Sequence, residues 1–290
     1  MTTIQGHWCR ALLALACVAG AAHAADGADR LKPVPASVSP AATNAMILGA
    51  TWAGPRAVAV GDHGTVLLSD DRGSHFRQAR TVPVSSLLTS VSFVNERQGW
   101  AVGHWGAVLV TSDGGETWSI QRLDTATDRP LFAVHFFDAR HGVAVGLWSL
   151  VLTTEDGGLT WIERTIEPPP GAKKADLNLL SLFTDNQGAL YSTAERGKLL
   201  RSNDRGATWR YIETGYAGSL WTGLALADGS LIAAGQRGTV MRAPSFNGPW
   251  TQVPMQSRSS ITSIALEPGG VVLAGLDGLF ARSTDGGRSF

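Results

Sequence analysis

The chain has 290 residues but only two cysteines, Cys9 and Cys17, and both lie ahead of residue 25. Removal of that leader would leave no thiol, which excludes disulfides, thiolate catalysis and cysteine metal sites together. An excess of charge of either sign is missing as well. The 24 basic residues balance 24 acidic ones, so no global field draws the chain to nucleic acid or another polyanion. After the leader no segment stays apolar for the roughly 18 residues of a membrane helix, and no stretch has a sustained 3.6-residue apolar period. The remaining histidines, His63, His75, His104, His135 and His141, include no pair at the i, i+2 or i, i+4 spacing that a strand or helix uses to hold a metal. His63 and His104 occupy matching places in adjacent repeats, which leaves room only for a bridging ligand. Every Gly-Gly pair belongs to a repeat turn or to the Gly269-Gly270 hairpin, so there is no phosphate-binding loop, and no cofactor or metal is expected.

What is present is a phrase of eight residues that recurs six times. Its copies begin at Ser69 (SDDRGSHF), Thr111 (TSDGGETW), Thr154 (TEDGGLTW), Ser202 (SNDRGATW), Ala243 (the decayed APSFNGPW) and Ser283 (STDGGRSF), at spacings of 40 to 48 residues. A unit of that length cannot bury its own apolar face, so the units must pack on one another. Within the second unit, Leu88–Phe93, Gly99–Gly103, Ala107–Thr111 and Thr117–Gln121 read as four short strands separated by glycine and aspartate. The runs 143–146, 190–193, 231–235 and 272–275 take the second-strand position in the later units. Four strands per unit of about 40 residues define a propeller blade. The expected fold is therefore all-β: a β-propeller of six four-stranded blades, or seven if the chain is truncated.

The chemistry of the phrase explains its residues. Asp71, Asp113, Asp156, Asp204 and Asp285 are placed to accept hydrogen bonds within their own turns, the next residues supply positive φ, and a following hydroxyl adds a bond. The aromatics Trp118, Trp161 and Trp209 then plug gaps between strands or blades. Because the aspartates recur once per blade, they cannot converge as a catalytic pair must. Their reading is structural.

The first residues read as a targeting segment: Arg10, an apolar run over 11–22, and Ala22-His23-Ala24 before a cleavage point at Ala25. Lipidation at Cys17 fits less well, since Ala14 stands where a larger aliphatic is usual. The organisation expected is a signal peptide at 1–24, a linker with a possible ring-closing strand at 25–43, and a propeller over 44–290. In that scheme residues 30–38 would supply the fourth strand that the last unit, ending at Phe290, lacks. The product would be periplasmic or secreted.

The run GWAVGHWGAVLVTSDGGETW, residues 99–118, resembles the repeats of the photosystem II stability and assembly factor family, and is similar to the Asp-box repeats of bacterial neuraminidases. That family's propellers reside in the thylakoid lumen or the periplasm. The resemblance implies a non-enzymatic role in which an arginine-bearing surface binds a membrane-protein precursor. The implied partner is a membrane protein complex or its precursor subunit, bound by a monomer peripheral to the membrane at most. Arg196 and Arg237 occupy the turn between second and third strands in adjacent units, with Trp105 and Trp148 at the matching place as aromatic anchors. A second row, Arg201, Arg242 and Arg282, ends the third strands. The competing branch, a sialidase-like glycan-binding or glycan-cleaving propeller, asks for an Arg-Ile-Pro motif and a tyrosine-glutamate nucleophile. The chain has no such motif and only three tyrosines. An insertion rich in proline, 167–176, lengthens the step between the third and fourth phrases.

Overall fold

The computed structural model describes residues 32–290. The expected leader, its cleavage point before Ala25 and Cys17 lie outside the described residues.

Each repeat is an antiparallel meander, since its short β-rich runs are joined by turns too tight for a crossover. Blade 2 runs Leu88–Phe93, Gly99–Gly103, Val108–Thr111, Ser119–Arg122, with strands adjacent in sequence order. The other blades follow it, giving six antiparallel sheets, five of four strands and a last one of three. In blades 2 to 5 every residue of the second strand is buried. A strand packed on both faces has no polar side, which is why Gly99–Gly103 and Gly142–Gly146 read as continuous apolar runs. The fourth strand of blade 2 starts at Ser119, two residues later than its sequence suggests, because Trp118 first turns inward and its Nε1 donates to the Gly115 carbonyl at 2.9 Å.

The innermost strands pack in succession, Ile47–Ala53 on Leu88–Phe93, then Leu131–Phe136, Leu179–Thr184, Leu220–Ala225 and Ile261–Glu267. They surround a central cavity of about 180 Å³ to which all six contribute. Hydroxyls stitch neighbours together there. Thr89 Oγ1 donates to the Leu131 carbonyl at 2.6 Å, while Ser90 and Ser92 accept from the amides of Val134 and Phe136. In blades 2 to 6 the box aromatic enters the interface between its own blade and the preceding one. Trp118 joins Val58, Val60 and Leu68 of blade 1, and Trp161 meets Phe136 edge-on at 5.9 Å beside the stacked Trp100–Phe136 pair.

The ring has a seam between blade 6 and blade 1. Their innermost strands do not pack as the other neighbours do. Phe76, the box aromatic of blade 1, has no preceding interface to enter and is 38% exposed, against 4% for Trp118. Trp52 of blade 1 and Phe280 of blade 6 stand open at 57% and 69%. The second strand of blade 6, Gly270–Gly275, buries only Val271 and Leu273.

Among the described residues, 32–38 add no strand to blade 6, contrary to the sequence expectation for 30–38. The described part of the N-terminal segment lies against blade 1, where the Ala36 amide donates to the Val82 carbonyl at 3.0 Å and the Gln78 side chain clasps Ser39 and Ser37. Prolines at 33, 35 and 40 deprive it of the donors that a sheet ladder needs.

Candidate functional site

The boxes are built alike. Asp113 accepts from the Thr111 hydroxyl at 2.8 Å, the Thr117 amide at 2.9 Å and the Thr117 hydroxyl at 2.6 Å. Asp156, Asp204 and Asp285 repeat these contacts with Thr160, Thr208 and Ser289. In blade 1 the ring of His75 takes the hydroxyl's place beside Asp71. Sequence reasoning overlooked the first residue of the phrase. The Thr111 hydroxyl also accepts from the Gly115 amide at 3.0 Å, so it closes the loop from the other side. Both oxygens of each of these carboxylates are engaged within its own turn.

The same bonds make the boxes acid-sensitive. The Thr160 hydroxyl and amide hold Asp156 down from 3.8 to about 2, and hydrogen bonds from Ser289 and Ser283 hold Asp285 well below the usual carboxylate range. At Asp113 burial works the other way, yet the Thr117 and Thr111 bonds prevail and the net direction is down. A depressed carboxylate stabilises the fold fully above its unfolded value and loses that contribution as pH falls through its folded value. Stability should therefore hold down to about pH 4 and fall between about pH 4 and pH 2. Chemical denaturation across that range would show it, and a flat profile would contradict the account.

On another part of each blade, the turn from second to third strand places its second residue at positive φ: His63 (52°), Trp105 (60°), Trp148 (52°), Arg196 (55°), Arg237 (58°) and Asp277 (56°). The residue after each is also left-handed, so two successive such residues make the tight hairpin turn that prefers Asn-Gly. None of the six is Gly or Asn, and a left-handed L-residue costs about 1–2 kcal/mol. A strained backbone retained at the same place in every blade, and filled by His, Trp, Arg or Asp instead of Gly or Asn, points to the side chain as what is kept.

All four sequence-selected residues occupy this position. Trp148 is 60% exposed, and its amide donates to Asn178 Oδ1 at 3.1 Å. Trp105 is half-buried, its amide held by Asp128 at 2.6 Å. Arg196 is exposed but pairs with Asp176 at 3.3 Å. Arg237 is exposed, and among the described residues no carboxylate lies within ion-pair reach of it. His63 and His104 do not converge on a ligand, since each faces its own partner, Asp62 at 3.3 Å and Asp128 at 3.0 Å.

Sequence reasoning missed the braces of these turns. Asp128, Asp176 and Asn178 sit just ahead of an inner strand, where Asp128 and Asn178 reach back to the turn of the preceding blade and Asp176 meets Arg196 in the turn of its own. Asn178 ties Trp148 to Glu195 of blade 4, and its Nδ2 donates to Glu195 Oε1 at 3.0 Å. The insertion therefore ends on the turns of blades 3 and 4 and shares their surface. The second arginine row is not a docking row. Arg201 stacks on Phe246 at 3.9 Å and bonds the Tyr191 hydroxyl, Arg242 donates to the Gly286 carbonyl, and Arg282 pairs with Glu267 at 2.5 Å.

Six such sheets in a ring, five of them closed by an Asp box and each presenting one side chain at the same left-handed turn, make an Asp-box β-propeller. The profile described as Photosynthesis system II assembly factor YCF48 matches residues 78–131 and 121–219, and the chain is a photosystem II assembly factor-like Asp-box β-propeller. Among solved structures it is similar to YCF48 bound to D1 peptide (21% identity, TM-score 0.67, 90% of this chain and 84% of that one). It is also similar to YCF48 from Cyanidioschyzon merolae (17%, 0.66, 84% of each chain). An ancestral GH74 enzyme shares the fold at 12% identity and TM-score 0.62, covering 85% of this chain and 37% of that one. No curated protein matches the chain.

Proposed function

We propose that this propeller is a non-enzymatic, exported scaffold that holds a segment of a membrane-protein subunit during assembly, on the sector of turns carrying Trp105, Trp148, Arg196 and Arg237. The observation that carries the reading is the strained turn position, where the exposed Trp148 and Arg196 stand beside the end of the insertion and Arg237, one blade on, has no carboxylate within ion-pair reach among the described residues. An aromatic anchor with a neighbouring arginine is the composition of interface hot spots. A structural neighbour bound to D1 peptide supports a membrane-protein subunit as the kind of partner. The Asp-box carboxylates, each engaged by its own turn, offer no acid–base pair for glycoside hydrolysis, and the GH74 likeness extends to fold alone.

The test is capture of detergent-solubilised membrane subunits by wild type and by the double variant Trp148→Asn, Arg237→Glu. Asparagine tolerates the left-handed turn, so the ring is lost without added backbone strain. Arg196 is spared because a glutamate there would face Asp176. Capture should fall about tenfold or more, with a weaker salt dependence, because truncated anchors and reversed rim charges act in that direction. Undiminished capture would move the docking surface elsewhere, and glycoside turnover by purified wild type would overturn the reading.

A further inference from the structure

Between blades 3 and 4, beside the boxes of both, lies a cavity of about 210 Å³. Two arginines line it: Arg164, just past the fourth strand of blade 3, and Arg205, in the box of blade 4. Arg164 is half-buried, and its Nε donates to the Thr153 hydroxyl at 2.9 Å, which holds the guanidinium by one edge. Its two terminal amino groups have no acceptor among the described residues, yet neither is buried, so both are open to a ligand. Arg205 lies over the Phe137 ring at 5.8 Å, with Asp138 at 3.9 Å, too far for a hydrogen bond. The carboxylates nearby are engaged elsewhere. Asp138 accepts from the amides of Arg140 and His141 and meets the His141 ring, and Asp204 has both oxygens taken by its own box. Glu155 is exposed, and among the described residues no arginine side chain lies within ion-pair reach of it. The backbone adds an independent sign. Arg205 is left-handed, φ 55°, at the box position where blades 2, 3 and 6 carry Gly114, Gly157 and Gly286. A side chain retained where glycine is unstrained points to a use for that side chain.

We infer that this cavity is a subsite for a phosphate group, gripped between Arg164 and Arg205. Guanidinium donors left without acceptors select an anion that offers oxygens in fixed directions. A carboxylate holds its two oxygens in one plane, and a single guanidinium fork fills them. A phosphate turns its oxygens in several directions and can engage two forks that approach from different blades. Because one arginine belongs to blade 3 and the other to blade 4, the bound group would also tie that interface together. The cavity shares no residue with the turns assigned to docking above, and its chemistry does not rest on that reading.

Amide resonances of the 15N-labelled protein are followed while inorganic phosphate, and in parallel acetate, is titrated in at fixed pH and at an ionic strength held with sodium chloride. Saturable shifts centred on Thr153, Glu155, Arg205 and Ala207 are expected with phosphate and not with acetate. Glycerol 3-phosphate, titrated alone, separates the two sources of such a group: binding at least as tight as that of phosphate assigns the subsite to a phosphomonoester, and weaker saturable binding assigns it to the free ion. Arg205→Gly restores the residue that three other boxes carry at this turn, so it removes the guanidinium without straining the backbone. It should weaken phosphate binding at least about tenfold, the usual loss when a charge-assisted bond is removed. Arg164→Met, which keeps the stem and removes every donor, should do the same. Arg72→Gly, at the matching box position of blade 1, removes an exposed arginine outside this lining and should leave binding unchanged. No saturable response to phosphate, an equal response to acetate, unchanged affinity in Arg205→Gly, or an equal loss in Arg72→Gly would each overturn the proposal.

Discussion

Gly197→Ala should destabilise the protein by about 2–5 kcal/mol, while Gly278→Ala, at the same turn position two blades on, should cost only about 1–2 kcal/mol. Both glycines are left-handed, φ 64° and 70°, so the conformational penalty of adding a side chain is common to the pair. What differs is the space. A Cβ on Gly197 would overlap the Tyr216 carbonyl oxygen, which belongs to the stretch leading into blade 5, and backbone cannot swing aside as a side chain does. At Gly278 nothing lies within 4 Å, because blade 6 has no following blade packed on its turn. Blade 3 carries a natural precedent. Ser149 occupies this place at φ 58°, its amide and hydroxyl both bonded to the Leu177 carbonyl, so a Cβ is admissible where the next blade is set to receive it. Melting temperatures of the two variants, compared with wild type, separate the shared term from the clash. Equal losses would mean that the turn does not press on the next blade.

The second large effect is expected at Trp118. Its ring is buried between blades 1 and 2, edge-on to Phe93 at 6.2 Å, and its Nε1 proton is taken by the Gly115 carbonyl. Trp118→Ala should remove about 3–5 kcal/mol, the range for emptying a buried aromatic site. Trp118→Phe should keep much of the packing and lose mainly the indole bond, about 1 kcal/mol. Phe76→Ala, at the matching place in blade 1, should cost less than either large-cavity figure because that ring is already partly in solvent. Urea unfolding of the three variants gives the ranking, and a Phe76 loss equal to that of Trp118 would refute the interface role assigned to the box aromatic.

Much of this architecture could be read from residue order because each blade states it again. The phrase around Asp113 and Trp118 encodes a local turn, and a turn closed by hydrogen bonds between residues two and four apart does not depend on the rest of the chain. Six blades, the second-strand runs and the turn position of Trp105, Trp148, Arg196 and Arg237 followed from that periodicity. The residues that were illegible act across the repeat. Asp176 meets Arg196 over 20 positions and Asn178 meets Trp148 over 30, and no local pattern marks either as a partner. The N-terminal segment was misplaced for a related reason. Its prolines allow it to lie along an edge, but which edge is decided by the Gln78 clasp and by Ala42 seating on Ala59 and Leu67.

The seam gives the molecule a beginning and an end in its cooperative behaviour. In a chain of units stabilised by their nearest neighbours, a unit flanked on both sides opens only when two interfaces yield, and a terminal unit needs only one. Blades 1 and 6 are such terminal units, so amide protection should be lowest there and rise toward blades 3 and 4. The turns of Trp148 and Arg196, on blades 3 and 4, then belong to the part of the fold expected to exchange most slowly. Under the docking reading proposed above, a segment held at those two turns would sit on the portion expected to fluctuate least, while blades 1 and 6 could fray and reseal without releasing it.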